Sequence, residues 1–276
     1  MSQVTEKIKQ ISKEIYPQLV KLRRELHQYP ETAFQEFKTS ERIAKELKKL
    51  NLSIKTKVGK TGVVGFLVGK NKGKTVALRS DMDALPVTEQ TNFPYKSKNL
   101  GKMHACGHDV NMSIVIGAAT ILTRLKNELK GNVKFIFQPS EEVTPGGAIE
   151  MIKNGVLENP KVEGIFSSHV DVNIPVGKIG VKNLAMMAQA DDFDLTILGK
   201  GGHGARPHEG VDAIVVSAQV IQALQTIVSR RISPLKPVVI SLGTIEGGNA
   251  RNIISGSGVR ELPACRPVKK TGISTR

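Results

Sequence analysis

The chain has 276 residues, 39% of them hydrophobic, which excludes a disordered chain and suffices for one large domain or two ordinary ones. No long apolar run or secretory signal is evident, so we expect a cytoplasmic protein with no membrane partner. The net charge of +15 would suit nucleic acid, but Lys and Arg are scattered, no nucleic-acid motif accompanies them and aromatic residues are few, so we expect a solvated basic surface and no nucleic-acid partner.

The first predicted elements are two amphipathic helices. Apolar residues recur at three- and four-residue steps from Ile8 to Leu26, which predicts a helix that ends before Tyr29 and Pro30. A second helix follows, with a buried stripe over residues 43–50 and with Thr39 or Ser40 as its N-cap.

Short strands then alternate with helices. The predicted strands cover residues 63–68, 75–78, 133–137 and 165–166, and the predicted helices cover residues 112–129 and 147–154. This alternation predicts an α/β fold whose sheet has substantial parallel content.

The pattern changes near Asn183, where we expect a domain boundary. A strand over residues 193–198, a Gly-rich turn, a helix over residues 211–231 and a strand over residues 238–242 predict a small α+β domain. We therefore divide the chain into domains 1–183 and 184–255. Residues 256–276 show no period and are expected to form a tail.

Metal-binding side chains follow the predicted strands. In open α/β sheets, ligands bind beyond the carboxyl ends of the strands. Carboxylates, imidazoles and a thiolate meet there, a ligand set that suits divalent zinc, manganese, cobalt or nickel. The residues concerned are Asp81, Asp83, Glu141, Glu142, His169, Cys106, His108 and Asp109.

Several assignments stay open at this point. Asp81 and Asp83 can ligate the metal directly or accept a hydrogen bond from the far nitrogen of a ligating histidine, and we favour the hydrogen-bonding role. One of the adjacent Glu141 and Glu142 can hold a metal while the other faces the attacking water, because neighbours in an extended chain point to opposite sides.

Three histidines lie outside this ligand set. His104, like Asp109, is expected to have a structural role or to contact a metal ligand rather than to bind the metal itself. We expect His27 to act as a cation or cap at the end of its helix. His203 lies in a Gly-rich turn. Such a turn could bind phosphate, but the GxxxxGK(S/T) order is missing, so we favour a turn that exposes the His203 side chain.

The chain resembles the M20 metallopeptidases over residues 22–255, and in particular their amidohydrolase subgroup of aminoacylases, hippurate hydrolases, auxin-conjugate hydrolases and a thermostable carboxypeptidase. The resemblance rests on six motifs in the family's order. They read LHQYPE, RSDMDALP, MHACGHD, FQPSEE, GKGGHG and GGNARN and begin at residues 26, 79, 103, 137, 199 and 247.

The resemblance implies a zinc-peptidase-like mixed sheet flanked by helices, with a smaller lid and dimerisation domain. It implies two divalent metal ions per subunit, held by Cys106, His108, Glu142 and His169, and hydrolysis of N-acyl amino acids or short peptides through a metal-bound water. Glu141 would be the general base. His203 and Asn252 would bind the substrate, His203 in the active site of a partner subunit.

The chain also departs from this family in two places. Residues 110–113 read VNMS where the family more often has a further His and Thr. The family continues well past Ser255 and supplies one more metal-binding His, so we expect a truncated chain. A catalytically inert metal-binding protein of the same fold is therefore the alternative function.

Overall fold

The computed structural model describes residues 3–183, 191, 193–256 and 259–261. Within it the chain forms two compact units, Met1–Asn173 and Ile174–Arg276. The boundary predicted near Asn183 stays a prediction, because the segment 184–190 lies outside the described residues.

Unit 1 is built on a five-stranded mixed sheet. Its strands are β1 (Ser53–Val58), β2 (Gly62–Val68), β3 (Asn71–Asp81), β4 (Lys130–Gln138) and β5 (Val162–Ser167). Their order in the sheet is β1-β2-β4-β3-β5. Strand β3 is parallel to both β4 and β5, whereas β2 is antiparallel to β1 and β4. The predicted α/β fold with parallel content is confirmed.

Helices cover both faces of this sheet. They are α1 (Gln3–Gln28), α2 (Phe37–Lys49), α3 (His108–Arg124) and α4 (Gly147–Lys153). Phe135 and Phe137 of β4 pack with α1, α2 and α3 in the main core, while Ile136 packs with Met151 of α4 in a second cluster. This division follows from the strand period, since alternate residues point to opposite faces.

The N-terminus of α2 differs from its prediction. Thr39 and Ser40 lie inside the helix, which begins at Phe37, so neither is the N-cap. Instead, Thr39 donates its backbone N–H and its hydroxyl to Glu31 Oε2, at 2.8 and 2.9 Å. The carboxylate of a preceding loop residue thus satisfies the first turn, which a search for Ser or Thr caps does not consider.

Unit 2 contains short strands and one long helix. These are β6 (Leu195–Ile197), β7 (Gly202–His203), α5 (Ala213–Thr226), β8 (Ile253–Ile254) and β9 (Val259–Glu261), and α5 continues as a π-helix over Ile227–Arg231. Asp212 caps α5, since its carboxylate accepts from the backbone N–H groups of Ile214 and Val215.

Two predictions for this unit are wrong. Residues 238–242 are not a strand, because an apolar run becomes a strand only by pairing and none of the described residues pairs with it. Residues 259–261, expected to belong to a tail, form β9 and pair antiparallel with β6. Three residues are too few to show a period; the remaining tail from 262 lies outside the described residues.

The segment Ala213–Arg231 has the length and composition of a membrane-spanning helix. Length and composition alone are weak evidence, because interior helices of water-soluble proteins meet the same criterion. The cytoplasmic location therefore stays a prediction.

Candidate metal centre

The candidate site lies at the carboxyl edge of the sheet in unit 1. Asp81 ends β3, Glu141 and Glu142 follow β4, and His169 follows β5. Because β3 is parallel to β4 and β5, these three ends meet at one edge. His108, the first residue of α3, completes the cluster.

One group of potential ligands consists of Cys106, His108 and His169. Each offers an atom within 4.8 Å of those of the other two. The Cys106 Sγ atom lies 3.4 Å from His169 Nε2, and the two imidazole rings meet edge to face with centroids 5.5 Å apart. A thiolate with two imidazoles is a donor set typical of zinc, cobalt or nickel.

A second group consists of His108, Glu141 and Glu142, with ligand atoms again within 4.8 Å of one another. His108 Nε2 lies 3.8 Å from Glu142 Oε1. His108 is therefore common to both groups, so a single imidazole stands between two sets of donors.

Hydrogen bonds orient both imidazoles for ligation. His108 Nδ1 lies 2.8 Å from the backbone carbonyl of Asp83, and His169 Nδ1 lies 2.7 Å from that of Val170. If Nδ1 carries the proton that these carbonyls accept, each Nε2 presents its lone pair to the cluster.

Two buried atoms at the centre lack hydrogen-bond partners among the described residues. They are His108 Nε2 and Glu142 Oε1. Leaving such groups unpaired costs about 1 to 3 kcal/mol each, and more where a charge is involved. A divalent cation between them would satisfy both, so the residues present fit a metal ion.

The electrostatics of the cluster also favour a cation. Burial lowers the pKa of His108, but the Asp83 hydrogen bond, Cys106 and Asp81 outweigh burial and raise it to about 11. Partial burial raises the pKa of Glu141, and the Glu142 carboxylate adds to that rise. Positive charge at this position is thus strongly stabilised by the surrounding acidic groups.

Asp81 and Asp83 lie on different sides of His108. Asp81 Oδ1 lies 3.8 Å from Nε2, on the side of the donor cluster, and accepts a hydrogen bond from Asn111 Nδ2 at 3.0 Å. Asp83 uses its backbone carbonyl to hold His108, and its carboxylate accepts from the N–H groups of Glu141 and Glu142. Asp83 thus orients His108 through its backbone carbonyl, whereas its carboxylate holds the backbone of the two glutamates.

The two glutamates do not point to opposite sides of an extended chain. Ser140, which precedes them, has a φ of 47°, and the chain there bends rather than continuing β4. Both carboxylates therefore reach the same side and approach His108.

Asn111 and Arg79 also contact the site, although the sequence patterns did not predict these contacts. Asn111 bridges two elements, donating to Asp81 and accepting from the Val170 N–H at 3.3 Å. Arg79 donates to Asp81 Oδ2 at 2.9 Å. The available signal was the departure of residues 110–113, which include Asn111, from the sequence of the resembled family.

We expect Gly107→Ala to damage the site through Val170. Gly107 has a φ of +85°, and an added Cβ would lie 2.3 Å from Val170 Cγ2. The matched control is Gly101→Ala, since Gly101 has a similar φ of +74° and an added Cβ would meet nothing within 4 Å. In urea unfolding, the control should lose about 1 kcal/mol and Gly107→Ala about 2 to 3 kcal/mol.

Gly107→Ala should also weaken Co²⁺ binding, because displacing Val170 moves the carbonyl that orients His169. Equal losses of stability and unchanged Co²⁺ affinity in the two variants would contradict this prediction.

His27 forms a buried ion network at the start of α3. Its Nδ1 lies 2.7 Å from Asp109 Oδ2 and its Nε2 lies 3.3 Å from Glu89 Oε1. The Asp109 hydrogen bond raises the pKa of His27 despite its burial. These contacts favour the cationic form of His27, and its side chain bridges two carboxylates rather than capping α1. His104 is buried, and burial lowers its pKa to about 4.

This network predicts a pH dependence of stability. Because the pKa of His27 is raised above 6.5 in the folded state, its contribution is fully present below pH 6.5 and is lost as the pH rises through the folded value. The free energy of unfolding of the metal-free protein should therefore fall more between pH 6 and pH 9 than that of His27→Gln. Parallel pH profiles for the two proteins would contradict it.

His203 and Asn252 are neighbours within unit 2. The Gly204 N–H donates to the Asn252 carbonyl at 2.8 Å, and His203 pairs with Ile253 between β7 and β8. Both side chains are exposed. Their predicted role in substrate binding stays a proposal.

The sequence matches Peptidase family M20/M25/M40 over residues 77–262. It is 41% identical over 251 residues to an N-acyl-L-amino acid amidohydrolase of Geobacillus stearothermophilus, covering 91% of this chain and 67% of that protein. It is 42% identical over 253 residues to thermostable carboxypeptidase 1 of Saccharolobus solfataricus, covering 91% of this chain and 64% of that protein. The chain thus spans about two thirds of these relatives.

The structure is similar to that of a Bacillus subtilis protein described as a dinuclear metal binding peptidase from M20 family. The TM-score is 0.75 at 36% sequence identity, and the match covers 94% of this chain and 65% of the other.

Proposed function

The chain belongs to peptidase family M20/M25/M40, and from this premise we propose that it hydrolyses the amide bond of N-acyl amino acids or short peptides with the help of divalent metal ions. The observation that carries the proposal is the pair of buried, unpartnered donors, His108 Nε2 and Glu142 Oε1, beside Cys106, His169 and Glu141. Buried polar atoms that serve only the fold are normally hydrogen-bonded.

We propose Cys106, His108, Glu142 and His169 as the metal ligands. A divalent ion held there would supply a polarised carbonyl and a water of lowered pKa. The dinuclear relative supports two ions, and the Cys106 thiolate favours zinc, cobalt or nickel while the carboxylates also allow manganese.

Glu141 is the proposed general base. It is the more exposed of the two glutamates, and its raised pKa brings it closer to the value at which a carboxylate both takes and returns a proton near neutral pH. Glu141 would take the proton of the attacking water and deliver it to the nitrogen of the leaving amine. Glu142 would instead bind the metal at the centre of the cluster, through the buried Oε1 atom beside His108.

The proposal extends to unit 2. His203 and Asn252 would bind the substrate, and the resembled family implies that His203 does so in the active site of a partner subunit of a homodimer. His203 ends β7 and Asn252 directly precedes the paired strand β8, and this adjacency supports a common role.

A panel of substrates tests this function. N-acetyl and N-benzoyl amino acids and dipeptides should release a free amino acid, whereas DNA or RNA should be neither bound nor cleaved. The relatives are named as an amidohydrolase and a carboxypeptidase, which disfavours the alternative of an inert metal-binding protein. A folded, metal-loaded chain that cleaves none of these amides would instead support that alternative.

A further inference from the structure

A fully buried carboxylate lies behind the two glutamates of the site. Glu36, in the loop between α1 and α2, has 0% of its surface exposed. Its Oε2 atom accepts from the Thr61 hydroxyl at 2.6 Å, and its Oε1 atom accepts from the Ser140 N–H at 2.8 Å. Thr61 lies between β1 and β2, so Glu36 joins three separate loops.

Three successive backbone N–H groups are thereby bound to carboxylates. Glu36 accepts from Ser140, and Asp83 accepts from Glu141 and Glu142 at 2.9 and 3.0 Å. Successive N–H groups around a left-handed residue form a concave site for anions. Here the anions are side chains of the protein itself.

Ser140 requires this support because of its backbone conformation. A φ of 47° is unfavourable for a residue with a side chain, and such conformations persist only where the surroundings enforce them. The Ser140 carbonyl also accepts from the Gly147 N–H at 2.8 Å, so both sides of the bend are fixed.

The bend decides where the Glu142 carboxylate points. It brings Glu142 Oε1 to 3.8 Å from His108 Nε2, in a buried position with no hydrogen-bond partner among the described residues. No other acceptor among the described residues bonds the Ser140 N–H, so loss of Glu36 would leave only the Ser140 carbonyl, bonded to Gly147, to hold the bend at this residue.

We infer that Glu36 is a positioning residue, which holds the turn at residues 140–142 so that Glu141 and Glu142 face the metal centre. It acts through the Ser140 N–H and touches neither substrate nor metal. The inference deepens the proposed function and rests on it only for the consequence in catalysis.

The test compares four variants of the metal-free and Co²⁺-loaded protein. Glu36→Leu removes both acceptors, and Glu36→Asp keeps the charge but is one methylene too short to reach both partners. Glu36→Gln keeps the shape, since its oxygen can accept from Ser140 while its amide donates to Thr61. Thr61→Val removes only the hydroxyl that donates to Glu36 Oε2 and leaves the bond from the Ser140 N–H in place.

Amide hydrogen exchange in the metal-free protein measures how firmly the turn at residues 140–142 is held. In Glu36→Leu, exchange at residues 140–142 should accelerate on the order of tenfold relative to the rest of unit 1, with a smaller increase in Glu36→Asp. Glu36→Gln and Thr61→Val should retain the protection. Co²⁺ should bind on the order of tenfold more weakly to Glu36→Leu and with wild-type affinity to Glu36→Gln.

Unchanged exchange at residues 140–142 in Glu36→Leu would overturn the inference. If Glu36→Leu does not fold, unchanged exchange in Glu36→Asp would do the same. So would faster exchange without a loss of Co²⁺ affinity, or equal effects in Thr61→Val. If exchange and Co²⁺ affinity change as expected but wild-type protein hydrolyses no amide, the proposed function fails and the positioning role stands.

Discussion

Replacement of Glu141 by Gln should lower kcat by about a thousandfold and leave the bound metal nearly unchanged. General acid-base catalysis by a placed side chain contributes roughly 10² to 10⁴ in rate, and an amide cannot accept the proton. Gln has almost the same shape as Glu, and the backbone N–H of residue 141 keeps its bond to Asp83. Steady-state kinetics and elemental analysis of the same preparation measure both quantities.

Two other glutamates serve as controls for this prediction. Glu142→Gln should lose metal as well as activity, because Glu142 Oε1 is the buried donor beside His108. Glu150→Gln should change neither, because Glu150 pairs with Lys153 on α4 away from the cluster. Metal loss in Glu141→Gln equal to that in Glu142→Gln would show that the two roles are reversed.

Replacement of His108 by Ala should weaken the binding of divalent metal by about 100-fold or more. His108 is the one side chain shared by both groups of potential ligands in the described residues, so its loss removes a donor whichever group holds the ion. Loss of an outer-shell partner alone already costs 10- to 100-fold in affinity, and a ligand should cost at least as much. Competition titration of Zn²⁺ against a chelator measures the change.

Cys106→Ser is the matched comparison for His108→Ala. Cys106 belongs to one group only, and a serine hydroxyl is a poorer ligand than a thiolate, so we expect a loss on the order of tenfold. A larger loss in Cys106→Ser than in His108→Ala would contradict the shared position of His108. Unchanged affinity in Cys106→Ser would make Cys106 a packing residue.

The fold of unit 1 follows closely from sequence patterns. Strands β2 to β5 and helices α1 to α4 were predicted with correct type, because apolar periodicity is strong where an element packs on a core. Strand β1 was not predicted, since Lys55 and Lys57 interrupt its apolar pattern at the edge of the sheet. Short strands such as β9 carry too few residues for any pattern.

The residues of the candidate site were predictable, but their supports were not. Sequence motifs singled out Cys106, His108, Glu141, Glu142 and His169. The ends of β4 and β5 and the start of α3 bring them together. The support by Glu36 depends on a backbone bend at Ser140, which no periodicity or propensity indicates. Contacts between distant loops that pass through a backbone N–H leave no spacing pattern in the sequence.

The most direct test of the proposed function is hydrolysis by metal-free and reloaded protein. Chelator-treated chain should release no amino acid from an N-acyl amino acid, and activity should return in proportion to the Zn²⁺, Mn²⁺, Co²⁺ or Ni²⁺ bound, in wild type but not in His108→Ala. Full activity of the metal-free chain, or a folded and loaded chain that releases no amino acid, would contradict the proposal that the donors around His108 hold catalytic metal.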